Sequence, residues 1–130
     1  MDASTTDPVD RLIAGAHELL VVCARPEVQR IIHEAPTVLG ASAWRKLSAR
    51  YGLGLIQAAL RSEMEAGAFS PRPVDPLAHL IMGALDETTR YIVTAADPAT
   101  ARHECLQALR QMLEGLKRPT SAPRPGGGPA

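Results

Sequence analysis

Hydrophobic positions recur along this chain at helical spacing, most densely between Asp75 and Ala95. At 100° per residue, the apolar side chains of this segment cover an arc of roughly 220°, against about 100° for an ordinary surface helix. The polar remainder forms one narrow band, which consists of His79, Gly83, Asp86, Glu87, Arg90 and Thr94. Because the core of one small subunit cannot cover so wide an arc, the helix needs a second partner. The pattern therefore indicates a dimer.

Aspartate-proline pairs begin three of the predicted helices, since aspartate is a favoured N-cap and proline is well tolerated at the first helical position. The pairs are Asp7-Pro8, Asp75-Pro76 and Asp97-Pro98. The helices that they open are predicted over residues 8–24, 75–95 and 98–117, and each carries an apolar face.

Two further helices are predicted over residues 26–34 and 41–66. Ala35-Pro36 turns the chain between them, since the residue before a proline disfavours helix, and Gly67 is a plausible C-cap. Gly52 and Gly54 each weaken the longer helix by up to about 1 kcal/mol relative to alanine, so a bend is expected there. The polar leader 1–6 and the proline- and glycine-rich tail 119–130 are predicted to be disordered. Residues 7–118 then form one all-α domain of about five to six helices.

Composition narrows the class of protein further. Aromatic residues make up 3% of the chain, so the core is built from aliphatic side chains, which favours helices over strands. Fourteen basic and fourteen acidic residues cancel without a basic cluster, so we expect no nucleic-acid binding through this chain alone. Neither a signal peptide nor a membrane-length apolar run is present. Cys23 and Cys105 lie within apolar helical patterns and are typical of reduced thiols, which favours a cytoplasmic location.

Candidate catalytic and metal-binding residues are sparse. His17, His33, His79 and His103 fall on separate segments, without the spacing that metal ligands need. Neither a nucleophile motif nor a glycine-rich phosphate loop is present. The sequence therefore predicts no metal, no cofactor and no enzyme. An enzymatic alternative would require converging titratable groups, and His17 or His33 beside Asp86 is the only such combination.

Trp44, Leu47, Tyr51 and Leu55 share one face of the predicted long helix, because Trp44 and Tyr51 are separated by two turns. Such a face either lines an apolar cavity or packs as ordinary core. Composition alone favours core packing.

Three stretches of the sequence together point to a known family. They are APTVLGASAWRKLSARYGLGLIQAALR at 35–61, PVDPLAHLIMGALDE at 73–87 and DPATAR at 97–102. These stretches resemble the C-terminal domain of TetR-family transcriptional regulators, and the likeness extends over most of 7–118. In that family the domain is all-helical, holds a small effector among its central helices, and dimerises by pairing its last two helices into a four-helix bundle.

The resemblance implies two sets of site residues. An apolar or aromatic effector would contact His17, Leu20, Trp44, Leu47, Tyr51, Leu55, Leu85 and Thr88. The homodimer interface would contain Ala78, Met82, Thr89, Val93, Cys105, Ala108, Leu109, Met112 and Leu116. The sequence leaves open which apolar stripe of helix 75–95 faces the core and which faces the partner.

One feature departs from the family pattern. Such regulators begin with a helix-turn-helix DNA-binding domain, whereas only a polar leader precedes Asp7 in this sequence. A truncation, an internal start and a free-standing module each account for the difference. We therefore expect a ligand-sensing and homodimerisation domain that contacts DNA only through a missing N-terminal domain. The alternatives are a dimerisation module with a filled core and no ligand, and a small helical enzyme.

Overall fold

The computed structural model of the protein describes residues 7–119, apart from the side chains of Ala49 and Tyr51. This part of the chain forms six α-helices, and a π-helical segment, Ala49–Leu53, joins the third to the fourth. The helices are α1 (Pro8–Cys23), α2 (Pro26–Leu39), α3 (Ala41–Ser48), α4 (Gly54–Glu65), α5 (Val74–Val93) and α6 (Pro98–Glu114). The all-α prediction is confirmed. The predicted disordered leader lies outside the described residues, as does the predicted tail apart from Pro119.

Two of the three predicted aspartate caps are present. Asp7 accepts hydrogen bonds from the backbone N–H of Val9 at 2.8 Å and of Asp10 at 3.3 Å, and Asp97 accepts one from Thr100 at 3.3 Å. The prediction for Asp75 is wrong, because the extended backbone of Pro73 already starts α5 at Val74. The Asp75 carboxylate lies in the first turn and accepts instead from Gln57 Nε2 at 3.0 Å.

The turn predicted at Ala35-Pro36 is also wrong. Helix α2 continues through Pro36 to Leu39 and ends at Gly40, whose φ of 90° lies in the left-handed region. Pro36 lacks an N–H but keeps its carbonyl, which accepts the backbone N–H of Gly40 at 3.0 Å. Glycine adopts this backbone conformation without the strain that a side chain imposes, so the chain turns there.

The long helix predicted over 41–66 is interrupted near the expected bend by the π-helical segment. Within it, a Cβ atom on Gly52 would lie 2.6 Å from Cε of Met82 on α5. Gly52, which has no Cβ, leaves the space that this terminal methyl group occupies. Helix α4 then ends before Gly67, whose φ of 81° fits the predicted glycine C-cap.

Helix α5 lies at the centre of the bundle. It packs against α1, α4, α6 and the π-helical segment, and α1 also packs along α6. The core collects side chains from these helices, from the α4–α5 loop and from the chain just after α6: Val9, Ile13, Ala16, Leu20, Leu60, Phe69, Ala78, Leu85, Ile92, Ala101, Leu106, Leu113 and Leu116. Helices α2 and α3 pack chiefly against each other and contribute no buried residue.

The residues that follow α6 contact the α4–α5 loop. Leu116 accepts the N–H of Ser70 at 3.0 Å, and Arg118 donates to Ala68 at 2.9 Å, so the α4–α5 loop and the end of the described chain run side by side. Within residues 7–119, no helix combines the length and apolarity that crossing a membrane requires.

The contribution of Asp7, the N-cap of α1, to the stability of the fold can be tested by substitution. Lys117 Nζ lies 2.9 Å from Asp7 Oδ2, and this hydrogen bond lowers the pKa of Asp7 below its ordinary value of 3.8. A carboxyl group whose pKa is lowered by folding stabilises the fold above its unfolded pKa, and this contribution is lost on acidification. We expect Asp7→Ala to lower the free energy of unfolding by about 1 kcal/mol at neutral pH, measured by urea denaturation, with the difference shrinking below about pH 4.

The matched control is Asp7→Asn, which keeps a capping oxygen and removes only the charge. Because a partly exposed ion pair contributes little, Asp7→Asn should cost less than half as much as Asp7→Ala. Equal losses in both variants would show that the lysine contact, and not the cap, dominates.

Candidate functional site

A cavity of about 240 Å³ lies between α1 and α4, with its floor on α5 and α6. Its lining comes from all four helices and from the π-helical segment: Arg11, Leu12, Gly15, Ala16, Leu19, Gly52, Leu55, Ile56, Ala59, Leu60, Ile81, Leu85, Leu109 and Leu113. Gly15 and Leu55 are exposed while they line it, and Leu55 has 71% of its surface accessible. The cavity therefore opens to solvent between α1 and α4.

The cavity wall is almost entirely aliphatic. Among the described residues, Arg11 is the only charged one that lines it. The guanidinium of Arg11 donates to both carboxylate oxygens of Glu63 on α4, through Nε at 2.9 Å and Nη2 at 2.7 Å. The Glu63 hydrogen bond raises the pKa of Arg11 above its ordinary value, and Glu63 itself is 7% exposed. The cation beside the cavity is therefore already paired.

A second apolar surface lies on the opposite side of α5 and α6. Leu80, Tyr91 and Met112 are 72%, 56% and 69% exposed there. Two shallow grooves of about 140 and 110 Å³ run between the helices on this side. We call this surface the α5–α6 face; it consists of Leu77, Leu80, Ala84, Thr88, Tyr91, Cys105, Ala108, Leu109 and Met112. A third, more open groove lies along it beside Tyr91, and Glu87 and Glu104 also line that groove.

The cavity and the α5–α6 face are separated by a single layer of side chains. Leu85 and Leu109 line both the cavity and the larger groove, and Ile81 and Leu113 line both the cavity and the smaller groove. Interiors pack closely, so a change on one side of such a layer is felt on the other.

The predicted effector-contacting residues are divided among several places. Leu55 and Leu85 line the cavity, and Leu20 and Thr88 line the larger groove. His17 is exposed, Trp44 is half-buried and Leu47 is 41% exposed; none of these three lines the cavity or the grooves described above. The side chain of Tyr51 lies outside the described part of the structure.

The sequence placed α1 at the effector site through His17 and Leu20, but it missed the α1 residues that line the cavity. Leu12, Gly15 and Leu19 line it from α1, and Ile56 and Ala59 line it from α4. The apolar stripe of α1 contains Leu12 and Leu19 at helical spacing, and Gly15 lies between them on the same side. Gly15 within this apolar stripe could have indicated the cavity, because a glycine leaves space that a larger side chain would fill.

Two of the four predicted interface residues on α5, Ala78 and Met82, pack within the subunit. Ala78 is fully buried, Met82 reaches over Gly52, and the hydroxyl of Thr89 donates to the carbonyl of Leu85 at 2.9 Å. Val93, near the end of α5, is 37% exposed. Ala78 and Met82 therefore face away from the exposed apolar stripe of α5, which runs through Leu80 and Tyr91.

The predicted interface residues on α6 behave differently. Cys105, Ala108, Leu109 and Met112 all line the grooves of the α5–α6 face. Leu116 follows the helix; it is 8% exposed and lines the smaller groove. All five predicted positions therefore line grooves of the same face, and Leu116 is the buried one among them.

The groups that an enzymatic role would need do not meet at the cavity. His17 and His33 are exposed, and neither they nor Asp86 line it. Within residues 7–119, no cluster of three or more histidine, cysteine, aspartate or glutamate side chains could hold a metal ion.

The described part of the chain is thus an all-α domain with an apolar cavity in its bundle and an apolar face on two neighbouring helices. The sequence profile of the family described as tetracyclin repressor-like, C-terminal domain, matches residues 9–116, and the chain belongs to this family. Domains of this family typically bind effectors and dimerise. The family predicted from the sequence is confirmed.

A solved structure shares the fold. The crystal structure of a TetR-family transcriptional regulator from Pectobacterium atrosepticum superposes with a TM-score of 0.69 at 23% identity. The match covers 93% of this chain and 61% of that regulator, so the chain spans about three fifths of its length. A comparison with curated proteins finds no match.

Proposed function

We propose that this chain is the ligand-sensing and homodimerisation domain of a TetR-like transcriptional regulator in the cytoplasm, and that it binds a small apolar or aromatic effector. The observation that carries the proposal is the aliphatic cavity of about 240 Å³ that opens between α1 and α4. Ligand sites in proteins are concave, mostly apolar and few in number, and they often lie between the helices of a bundle. The alternative, a dimerisation module with a filled core, does not explain this cavity.

The size of the cavity limits the effector. A dry cavity of about 150 Å³ in a protein takes up benzene. At about 240 Å³, this cavity has room for a bicyclic hydrocarbon such as naphthalene. The aliphatic lining favours an uncharged molecule whose main contribution to affinity is the burial of apolar surface.

The homodimer is supported by the α5–α6 face. Exposed apolar residues that occur singly are normal on protein surfaces, but a contiguous apolar patch marks an interaction site. Here two adjacent helices expose Leu80, Tyr91 and Met112 on one face, with Leu80 and Met112 at the two smaller grooves and Tyr91 at the more open one. A second copy of the chain, related by a two-fold axis, would cover the same patch on both subunits and pair four helices.

A role in regulation follows from the family and the cavity together. In such a regulator, the effector and the DNA occupy different sites, so the response to the effector depends on a coupling free energy between them. This chain would supply the effector site and the dimer contact, and DNA would be bound by another part of the regulator. A catalytic role has less support, because His17, His33 and Asp86 do not converge on the cavity.

Binding of naphthalene tests the effector site. We expect the purified protein to bind naphthalene, detected by the change in naphthalene fluorescence and by calorimetry. The variant Ala59→Leu should weaken this binding about tenfold or more, since its added carbons occupy part of the cavity and tenfold corresponds to only about 1.4 kcal/mol.

The control for this experiment lies one residue away. Ala58 is on the same helix but is exposed and does not line the cavity. Ala58→Leu therefore makes the same chemical change outside the site and should leave naphthalene affinity unaltered. Equal affinities in the wild type and both variants would place the bound naphthalene elsewhere.

A further inference from the structure

The charged pair beside the cavity carries an inference about the effector that the apolar lining alone does not. This inference rests on the cavity being the effector site. Arg11 comes from α1 and Glu63 from α4, the two helices that flank the opening, and their side chains meet in two parallel hydrogen bonds of 2.9 and 2.7 Å. Paired contacts of this kind are among the strongest between protein side chains.

The two partners are buried to different extents. The side chain of Arg11 is 31% exposed, whereas that of Glu63 is 9% exposed. Glu63 therefore depends on Arg11 for the compensation of its charge, because an ionised carboxylate away from water is costly without a paired cation. Removing the partner of a buried ion is strongly destabilising.

An anionic ligand in the cavity would have to compete for this guanidinium. It could gain Arg11 only by weakening the contact with Glu63, which would leave the buried carboxylate of Glu63 with an uncompensated charge. If the ligand did not pair with Arg11, its negative charge would lie unpaired against the aliphatic wall. Both outcomes are unfavourable, so an arginine that would otherwise attract a carboxylate does not do so here.

We propose that Glu63 determines the charge specificity of the cavity: by neutralising Arg11 it makes the cavity select uncharged ligands and reject anions of the same shape. Glu63 does not itself line the cavity, so it acts on the ligand through Arg11. The class of effector is accordingly a neutral, mainly apolar molecule. If Glu63 loses its charge, Arg11 loses the carboxylate that pairs with it in two hydrogen bonds, and the cavity should then accept a carboxylate.

Three probes of similar shape test the proposal: naphthalene, 2-naphthamide and 2-naphthoate. The last two differ in charge while their outlines are nearly the same. We expect the wild-type protein to bind 2-naphthamide at least about tenfold more tightly than 2-naphthoate, since hydrogen bonds and charges left unpaired on burial cost more than the 1.4 kcal/mol that tenfold represents.

The variant Glu63→Gln should reverse this preference. Glutamine keeps the size of the side chain and one acceptor oxygen, but it removes the negative charge that pairs with Arg11. We expect 2-naphthoate to bind this variant at least about tenfold more tightly than it binds the wild type, because a charge-assisted pair with Arg11 then becomes available. The affinity for naphthalene should change less than about threefold, since hydrocarbon binding depends on buried area and not on charge.

A double variant, Arg11→Met with Glu63→Leu, removes both charges and supplies apolar side chains in their place. Replacing a buried ion pair by well-packed apolar residues is often neutral or stabilising, so this variant should fold even if Glu63→Gln proves unstable. It should bind naphthalene and still reject 2-naphthoate, which shows that the gain in Glu63→Gln comes from Arg11.

The proposal is overturned if the wild type binds 2-naphthoate as tightly as 2-naphthamide, or if folded Glu63→Gln binds naphthalene but gains no affinity for 2-naphthoate. In both cases the cavity still binds a ligand, so the effector site itself stands. A gain of 2-naphthoate binding in the double variant also overturns it, since no cation remains there. Wild-type protein that binds none of the three probes counts instead against the proposed function.

Discussion

Met112→Glu should convert the proposed homodimer into a monomer. Met112 is 69% exposed on the α5–α6 face and lines its grooves of about 140 and 110 Å³. In a two-fold interface the substitution occurs twice, and each new carboxylate would be buried without a partner. An uncompensated buried charge costs about 3 kcal/mol or more, so the dimer dissociation constant should rise more than about a hundredfold. Sedimentation equilibrium over a range of concentrations measures this directly.

Two other variants separate the interface from general effects of added charge. Val38 on α2 is 79% exposed and lies away from the α5–α6 face, so Val38→Glu should remain a dimer. Met82 packs over Gly52 within the subunit, so Met82→Glu should lower the stability of the fold instead. An unchanged dimer mass in Met112→Glu would exclude this part of α6 from the interface, and a monomeric Val38→Glu would point to α2.

The sequence predicted α5 well because its unusual feature is local. The wide apolar arc is visible in the order of residues, and the structure confirms that α5 packs against four other elements. The choice between its two apolar stripes is different. Ala78 and Met82 face inwards while Leu80 and Tyr91 stay exposed, although all four are apolar or aromatic. In this orientation the side chain of Met82 lies over Gly52, a contact between residues thirty positions apart.

The lining of the cavity was harder to predict because the predicted long helix is interrupted, which changes the direction in which its later side chains point. Trp44, Leu47 and Leu55 share one face only if a continuous α-helix connects them. The π-helical segment Ala49–Leu53 intervenes, and each extra residue in a turn rotates everything after it by about 100°. Leu55 therefore lines the cavity while Trp44 and Leu47 do not. No simple residue pattern marks such a segment, although Gly52 and Gly54 showed where the helix was weak.

The ion pair of Arg11 and Glu63 shows another limit of sequence reasoning. The two residues are separated by 52 positions and each lies on an ordinary amphipathic helix. Only the packing of α1 and α4 around α5 brings them to the same end of the cavity. Sequence alone could predict that the site is apolar, but not that its one described cation is already neutralised.

The stability of the fold should depend strongly on Phe69, which lies in the loop between α4 and α5. Its side chain is fully buried, and its backbone N–H donates to the carbonyl of Glu63 at 3.2 Å. It also forms an isolated β-bridge with Lys117. Phe69 is the only phenylalanine in the chain, and it fills the space where the end of α4, the loop and the chain after α6 come together.

Phe69→Ala should therefore lower the free energy of unfolding by about 3–5 kcal/mol, since truncating a buried phenylalanine loses its transfer free energy and leaves a cavity. Phe69→Leu, which keeps most of the volume, should cost clearly less. Because dimerisation adds a concentration-dependent term to apparent stability, both variants are best measured by urea denaturation in the Met112→Glu background at two protein concentrations. A loss below about 1 kcal/mol for Phe69→Ala would mean that the loop repacks, and the contact between the loop and the chain after α6 would then contribute little to the fold.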